Sequence, residues 1–283
     1  MARRIGLAAL LIIAAVAIYA GAIEPYRVVV REVAVPSAEL ARFFDGATVV
    51  HLSDLHTAGI GRRERRLLDL LQRIDPDYVF VTGDYVREKI PPGPVLEFFR
   101  RLPAKEGVWG VLGNVDYTGT RESCGFCHVG PPEVMDGPLR GSEPIRMLRN
   151  ERVLLERGGR TLELIGLDEI DGKGAGPDPK RILYDSSDRE VRIVLAHTPF
   201  LIDDAARAGV ELYLAGDTHG GQIALPTAIL ERVMPDKHWR YRAGRFRVGE
   251  TWLNVHHGIG WSLLPFRLGY PPLVEILRFE EAS

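Results

Sequence analysis

The sequence predicts an α/β fold, a β-sheet with helices laid over it, preceded by one membrane-crossing helix. Two observations carry the fold. Short apolar runs each end at a Gly or an Asp, and stretches with helical spacing come between them. A third observation carries the leading helix. Arg3 and Arg4 precede an uncharged run from Ile5 to Ile23, which Glu24 closes.

As a helix that run is roughly 28 Å long at about 1.5 Å per residue, close to the ~30 Å hydrocarbon core of a bilayer. A basic flank followed by an apolar run is the pattern of an uncleaved signal anchor. A buried soluble helix would carry a polar face. Ala20-Gly21-Ala22 is also compatible with a signal-peptidase site, and Arg3-Arg4 with a twin-arginine signal in surroundings that suit one poorly. Arg3 and Arg4 favour a cytoplasmic N-terminus and an extracytoplasmic domain, while Arg27 and Arg31 just beyond the run oppose that bias.

Residues 1–23 are therefore the anchor, 24–45 a linker and first strand, and 46–283 the main domain. Thr48 to Leu52 is a β-branched strand ending at Ser53-Asp54. Arg62 to Ile74 has helical spacing and stops at Asp75-Pro76-Asp77. Tyr78 to Thr82 is a strand ending in Gly83-Asp84, Pro94 to Leu102 a helix, and Val108 to Leu112 a strand ending in Gly113-Asn114. Residues 117–142 break the rhythm with many Gly and Pro and both cysteines, as an insertion over the site. Strands follow at Val153–Leu155, Thr161–Leu167, Val191–His197 and Leu212–Leu214, with helices at Pro179–Tyr184 and Asp203–Ala208. After Gly216 the chain has a mainly β pattern, through Thr251–Val255 and Leu273–Phe279.

A length of 283 residues with 46% hydrophobic and 26% charged residues suits one large globular domain. The net charge of -2 shows no basic excess of the kind that marks nucleic-acid partners.

The polar residues at the strand ends, in order, are Asp54-Leu55-His56, Gly83-Asp84, Gly113-Asn114, Ala196-His197 and Gly216-Asp217-Thr218-His219. Ligand groups in α/β sheets gather beyond the C-terminal ends of strands. Carboxylate, imidazole and amide oxygen suit divalent ions such as Mn, Fe or Zn. The Asp-x-His spacing puts two side chains on one face of an extended strand end, and the glycines let the backbone turn beside a ligand.

This set resembles the calcineurin-like metallophosphoesterases, whose pattern is Asp-x-His, Gly-Asp, Gly-Asn-His-Asp/Glu, Gly/Ala-His and Gly-His-x-His. The resemblance runs from about residue 46 to the C-terminus. It is strongest with the branch that carries an N-terminal transmembrane helix, on Ser53-Asp54-Leu55-His56, Thr218-His219-Gly220-Gly221-Gln222, and Leu264-Pro265-Phe266-Arg267-Leu268-Gly269 before Pro271-Pro272. It implies a four-layer α/β/β/α metallophosphoesterase sandwich. It also implies a dinuclear hydrolase of phosphoric ester or anhydride bonds, with two divalent ions and a water activated between them. Asp54, His56 and His219 would hold one ion, Asp84 would bridge, and Asn114, His197 and Asp217 would hold the second. The branch includes enzymes of lipid A synthesis that hydrolyse UDP-2,3-diacylglucosamine, a lipid-linked pyrophosphate whose use requires a cytosolic site, against the orientation bias above.

Two positions depart from the pattern. Val115 stands where the family has a histidine, and Asp217 where it has the first histidine of Gly-His-x-His. Asp217 still ligates, and its charge favours a harder ion. Val115 cannot protonate a leaving group, a loss of about 10²–10⁴ in rate that matters least when the leaving group is itself a phosphate. Asn114, Asp116 and His257 make up the catalytic candidates, with His256 as a neighbour of the last. A metal-binding pseudoenzyme or lipid-binding protein without turnover is the alternative that Val115 supports. Lys237-His238-Trp239-Arg240-Tyr241-Arg242 interleaves base and aromatic, as a solvated face or a contact for anionic headgroups. Cys124-Gly125-Phe126-Cys127-His128 leaves a disulfide, free thiols, an incidental metal site or a haem attachment open.

Overall fold

The computed structural model describes residues 2–87, 93–117, 144–168, 179–184, 191–233, 239–262 and 264–281. The insertion beyond Tyr117, with Cys124 and Cys127, lies outside the described residues, as do Lys237 and His238.

The first helix, α1 (Ala2–Ile18), continues through a wider π turn, Tyr19–Ile23, into a tight turn, Glu24–Tyr26. The stretch Gly6–Tyr26 is long and apolar enough to cross a membrane, with mean hydropathy 2.5. Leu7, Leu10, Leu11, Ile12, Ile13 and Ile18 all face outward with more than half their surface exposed. A helix apolar on every side has no core to bury itself in within a domain of this kind.

The join between helix and domain is not a loose linker. Ala20, Glu24 and Pro25 are buried. The Ala20 carbonyl accepts the Arg267 N–H at 2.9 Å, and Glu24 Oε1 accepts the Gly269 N–H at 2.7 Å. Strand β1 (Val29–Pro36) follows, then a helix the sequence reading did not contain, α2 (Ala38–Phe43). Ser37 caps it, its Oγ accepting the Leu40 N–H at 3.3 Å. Six residues are too few for a helical period to show.

Two six-stranded sheets face each other. The first has the order β1, β12 (Leu273–Glu280), β2 (Val49–Leu52), β3 (Tyr78–Thr82), β4 (Gly107–Val111) and β5 (Arg146–Met147). The second has the order β10 (Gly244–Val248), β11 (Thr251–Val255), β9 (Leu212–Ala215), β8 (Val191–Leu195), β7 (Arg160–Gly166) and β6 (Glu151–Arg157). Strands β2 to β5 run parallel, as do β7, β8, β9 and β11. Antiparallel pairs join β12 to β2, β6 to β7 and β10 to β11.

Three apolar clusters define the layers. Val49, Phe80 and Val111 of the first sheet meet Leu164, Ile193 and Leu212 of the second. Their sequence neighbours Val50, Val79 and Val81 point the other way, onto Leu67 and Leu71 of α3 (Arg62–Ile74) and Phe98 and Phe99 of α4 (Gly93–Phe99). Val194, Tyr213 and Val255 likewise meet Leu183 of α5 (Pro179–Tyr184) and Ile202 and Ala205 of α6 (Ile202–Arg207). Alternation at period two thus feeds two different cores. The result is the α/β/β/α sandwich.

The region read as mainly β after Gly216 also holds a helix, α7 (Thr227–Val233), and a tight turn at Trp239–Tyr241. Both are too short to be seen in apolar spacing.

Candidate metal centre

Strands β2, β3 and β4 are parallel neighbours, so their C-terminal ends place Asp54, Asp84 and Asn114 side by side. Strands β8 and β9 do the same for His197 and Asp217 from the second sheet. Past the strands the two loops keep pairing: Asp54 N–H donates to Gly83 O at 3.0 Å and His56 N–H to Asp84 O at 2.9 Å. Asp217 N–H reaches across the sheets to Asp54 Oδ2 at 3.2 Å.

Two groups of three side chains converge, Asp54, His56 and His219, and Asp54, Asp84 and His197, with ligand atoms within 4.8 Å of one another in each. His56 Nε2 lies 3.1 Å from His219 Nε2 and 3.4 Å from Asp84 Oδ2. His197 Nε2 lies 3.5 Å from the same Asp84 Oδ2 and 3.8 Å from Asp217 Oδ1. His219 Nε2 lies 3.4 Å from Asp54 Oδ1.

These distances suit a cation. Ligands about 2.1 Å from an ion stand about 3.0–3.4 Å from each other. Asp54 Oδ1 is buried and meets no hydrogen-bond donor among the described residues, a costly state that a metal relieves. His197 is set up as a ligand by its other nitrogen. Nδ1 donates to the Thr82 carbonyl at 2.8 Å, which leaves the Nε2 lone pair facing the carboxylates.

Asp54, His56, Asp84, Asp217 and His219 all have positive φ, between 39° and 67°. Left-handed backbone is uncommon for side-chain-bearing residues and is retained where a site demands it. The glycines serve partly through φ and partly through space. Gly83 has φ +87, and a Cβ there would stand 2.6 Å from His197 Nδ1. A Cβ at Gly113 would overlap the Asp84 carboxylate, and one at Gly216 would overlap Ser53 and Asp54. These two are needed for close approach, where the sequence suggested a sharp turn.

Burial pushes the Asp54 carboxyl up to about 7, opposed by His197 and reinforced by the charges of Asp84 and Asp217. Burial also works against Asp84, but His197 and His56 together hold it well below the usual carboxylate range. Burial lowers His56, with Asp84 opposing. A buried cluster with three carboxylates is short of positive charge, and a divalent cation would supply it.

Asn114 opens a tight turn, Asn114–Asp116, and is exposed at the rim. Val115 packs partly buried against the helix-side core, and its N–H donates to Asp84 Oδ1 at 3.0 Å. That bond leaves Asp84 Oδ2 for the site. Asp116 is buried and faces backbone: Oδ2 accepts the N–H groups of Asp84 and Gly113 at 2.9 and 2.8 Å, and Oδ1 those of Tyr85 and Val86 at 2.9 and 3.3 Å. Burial, then the Asp84 charge, raises its pKa to about 7. His257 is buried with Nε2 against the Pro271 carbonyl at 3.0 Å, and burial lowers it to about 3. His256 Nδ1 accepts the Gly258 N–H at 2.9 Å.

The sequence reading missed two arginines that brace the ligand loops. Arg63 Nη2 donates to the carbonyls of Leu55 and His56 at 2.8 and 3.5 Å. Arg267 Nη2 lies 3.2 Å from His219 Nδ1. Arg63 has no local signal, since an arginine in the first turn of a helix looks solvated, whereas Arg267 lies in the Leu264–Gly269 segment that carries the resemblance, where no role was assigned to it.

Paired strand ends bearing buried carboxylates and imidazoles on an α/β/β/α frame define a protein with a candidate divalent-metal site. The calcineurin-like phosphoesterase family model matches residues 47–221, and the chain belongs to that family, whose members bind divalent metals and hydrolyse phosphoester bonds. Over 271 residues the chain is 26% identical to the metallophosphoesterase YkuE of Bacillus subtilis (strain 168), covering 94% of this chain and 90% of that protein. It is 28% identical over 276 residues to the transmembrane protein with metallophosphoesterase domain of Danio rerio, covering 92% of this chain but 59% of that one. It is 32% identical over 142 residues to the phosphodiesterase YaeI of Escherichia coli (strain K12), 50% of each chain.

Proposed function

We propose that this protein is a membrane-anchored dinuclear phosphohydrolase that cleaves a phosphate anhydride or an ester with a weakly basic leaving group. The observation that carries it is Asp84 Oδ2, placed between His56 Nε2 at 3.4 Å and His197 Nε2 at 3.5 Å as a bridging oxygen would be. Asp54, His56 and His219 would hold one ion and Asn114, His197 and Asp217 the other, with Mn, Fe or Zn suited to that donor set. Divalent ions held by these residues would supply Lewis-acid chemistry for attack of water on a phosphoryl group.

The chain's own residues narrow the substrate. Val115 has no proton to give, Asp116 is engaged by four backbone N–H groups, and His257 is turned to Pro271. That combination favours a leaving group that departs without a general acid. The apolar helix and the similarity to a protein named as transmembrane support a site beside a bilayer. A lipid-linked pyrophosphate such as UDP-2,3-diacylglucosamine meets both conditions.

The test is hydrolysis by the full chain in detergent with Mn²⁺, comparing UDP-2,3-diacylglucosamine, bis-p-nitrophenyl phosphate and an unactivated dialkyl phosphate. Release of UMP, abolished by Asp84→Ala, is expected. Faster turnover of the dialkyl ester would overturn the leaving-group reading. Metal binding with no hydrolysis of any substrate would make the chain a binding protein.

A further inference from the structure

The apolar helix ends at the wall of a cavity of about 450 Å³ lined in part by Tyr26, Gly61, Arg62, Arg63, Arg87 and Trp261. Its walls alternate cations with aromatic rings. Arg63 lies over the Trp261 ring at 4.5 Å and Arg87 over the same ring at 5.1 Å. Arg62 lies over Tyr26 at 5.6 Å, and Tyr26 meets Trp261 edge-on at 5.9 Å. Such stacking holds guanidinium groups in place while leaving N–H edges for an acceptor.

The charge in this cavity is not balanced. Glu64 is the acid of the lining, and it is already engaged: Oε1 by Arg63 and Thr57, Oε2 by the Gly61 N–H at 3.0 Å. It offsets one of the three guanidinium charges. Arg62 and Arg87 form no ion pair among the described residues, and both are exposed. Arg63 has only 3% of its side chain exposed, and its Nη1 is buried without a hydrogen-bond acceptor among the described residues. Helix α3 starts at Arg62, so the N–H groups of its first turn and the positive end of its dipole lie at the same place. Two exposed guanidinium groups without an ion pair among the described residues, held against aromatic rings beside a helix N-terminus, suit an anion with several acceptor oxygens.

Position selects the source of that anion. Tyr26 is the last residue of the membrane-length stretch, the level at which Tyr and Trp meet lipid headgroups. We propose that this cavity binds the phosphate of an anionic phospholipid headgroup, as a site separate from the metal centre. It rests on the reading of α1 as a membrane helix and not on any hydrolytic activity. Arg63 also braces the loop that carries His56, so the occupied cavity fixes the site's height above the bilayer.

The experiment is native mass spectrometry of the full chain in detergent, titrated with phosphatidylglycerol or with phosphatidylcholine. Retention of phosphatidylglycerol over phosphatidylcholine is expected. Arg62→Gln with Arg87→Gln should cut that preference about twenty-five-fold, from roughly fivefold per arginine, with the unfolding midpoint held. Both side chains are exposed, and the single variant Arg87→Gln gives a smaller loss in a chain less disturbed. Millimolar sodium phosphate should compete with the lipid. Equal retention of the two lipids, or an undiminished preference in the double variant, overturns the proposal. So does binding of inorganic phosphate in the cavity without retention of phosphatidylglycerol. Because retention needs no turnover, a chain that holds the lipid but hydrolyses nothing would sink the proposed function and leave this site standing.

Discussion

The main-chain N–H of Arg267 donates to the Ala20 carbonyl at 2.9 Å while its guanidinium lies against His219. One residue therefore joins the apolar helix to a side chain of the metal centre. Arg267 is fully buried and also donates to the carbonyls of Gly260, His257 and Tyr270. The candidate metal site and the C-terminal end of the apolar stretch are parts of one packed unit.

Arg267→Met removes those donors and leaves buried carbonyls unsatisfied. Each costs about 1–3 kcal/mol, so with three carbonyls the full chain should lose about 3–9 kcal/mol. Thermal unfolding in detergent reads this directly. An unchanged midpoint would mean that water replaces the guanidinium at no cost.

Asp84→Ala should reduce phosphohydrolase activity by more than about 100-fold and lower metal content, since even partners one shell further out cost about 10–100-fold. Elemental analysis beside the activity assay separates the two effects. A variant with full metal content and full activity would remove Asp84 from the bridging position.

Metal affinity should fall on acidification. The Asp54 carboxyl is raised to about 7, chiefly by burial. A group with a raised pKa holds its proton below that pH, and the ion must displace it. Apparent affinity is therefore expected to drop by up to about tenfold per pH unit below 7, and to level off above it. Calorimetric titration of metal-stripped protein between pH 5 and about 8 checks the slope, and Asp54→Asn should flatten it.

Gly216→Ala should impair the site although it adds one methyl group. The new Cβ overlaps Ser53 and the Asp54 carboxylate, so Asp54 must move. Loss of metal with modest loss of stability is expected, and normal metal content would show that the loop yields instead.

Much of the frame was legible. Helix α3 and strand β3 fall on the residues their spacing predicts, Arg62–Ile74 and Tyr78–Thr82, because long apolar periods and clear stop signals dominate there. Helices α2 and α7 were not legible, since six or seven residues held by tertiary contacts leave no periodic trace. The strand-end carboxylates and histidines stood out because each closes an apolar run.

The sequence by itself determined the family, the alternation that builds two facing sheets, and the residues available to bind metal. Only the tertiary structure decided that Asp116 turns its oxygens to backbone, that His257 faces Pro271, and that Arg63 and Arg267 brace the ligand loops. The physical reason is range. Apolar periodicity is a property of neighbours along the chain, whereas the partner of a buried polar atom is chosen by whichever distant backbone group the packed layers bring within about 3 Å.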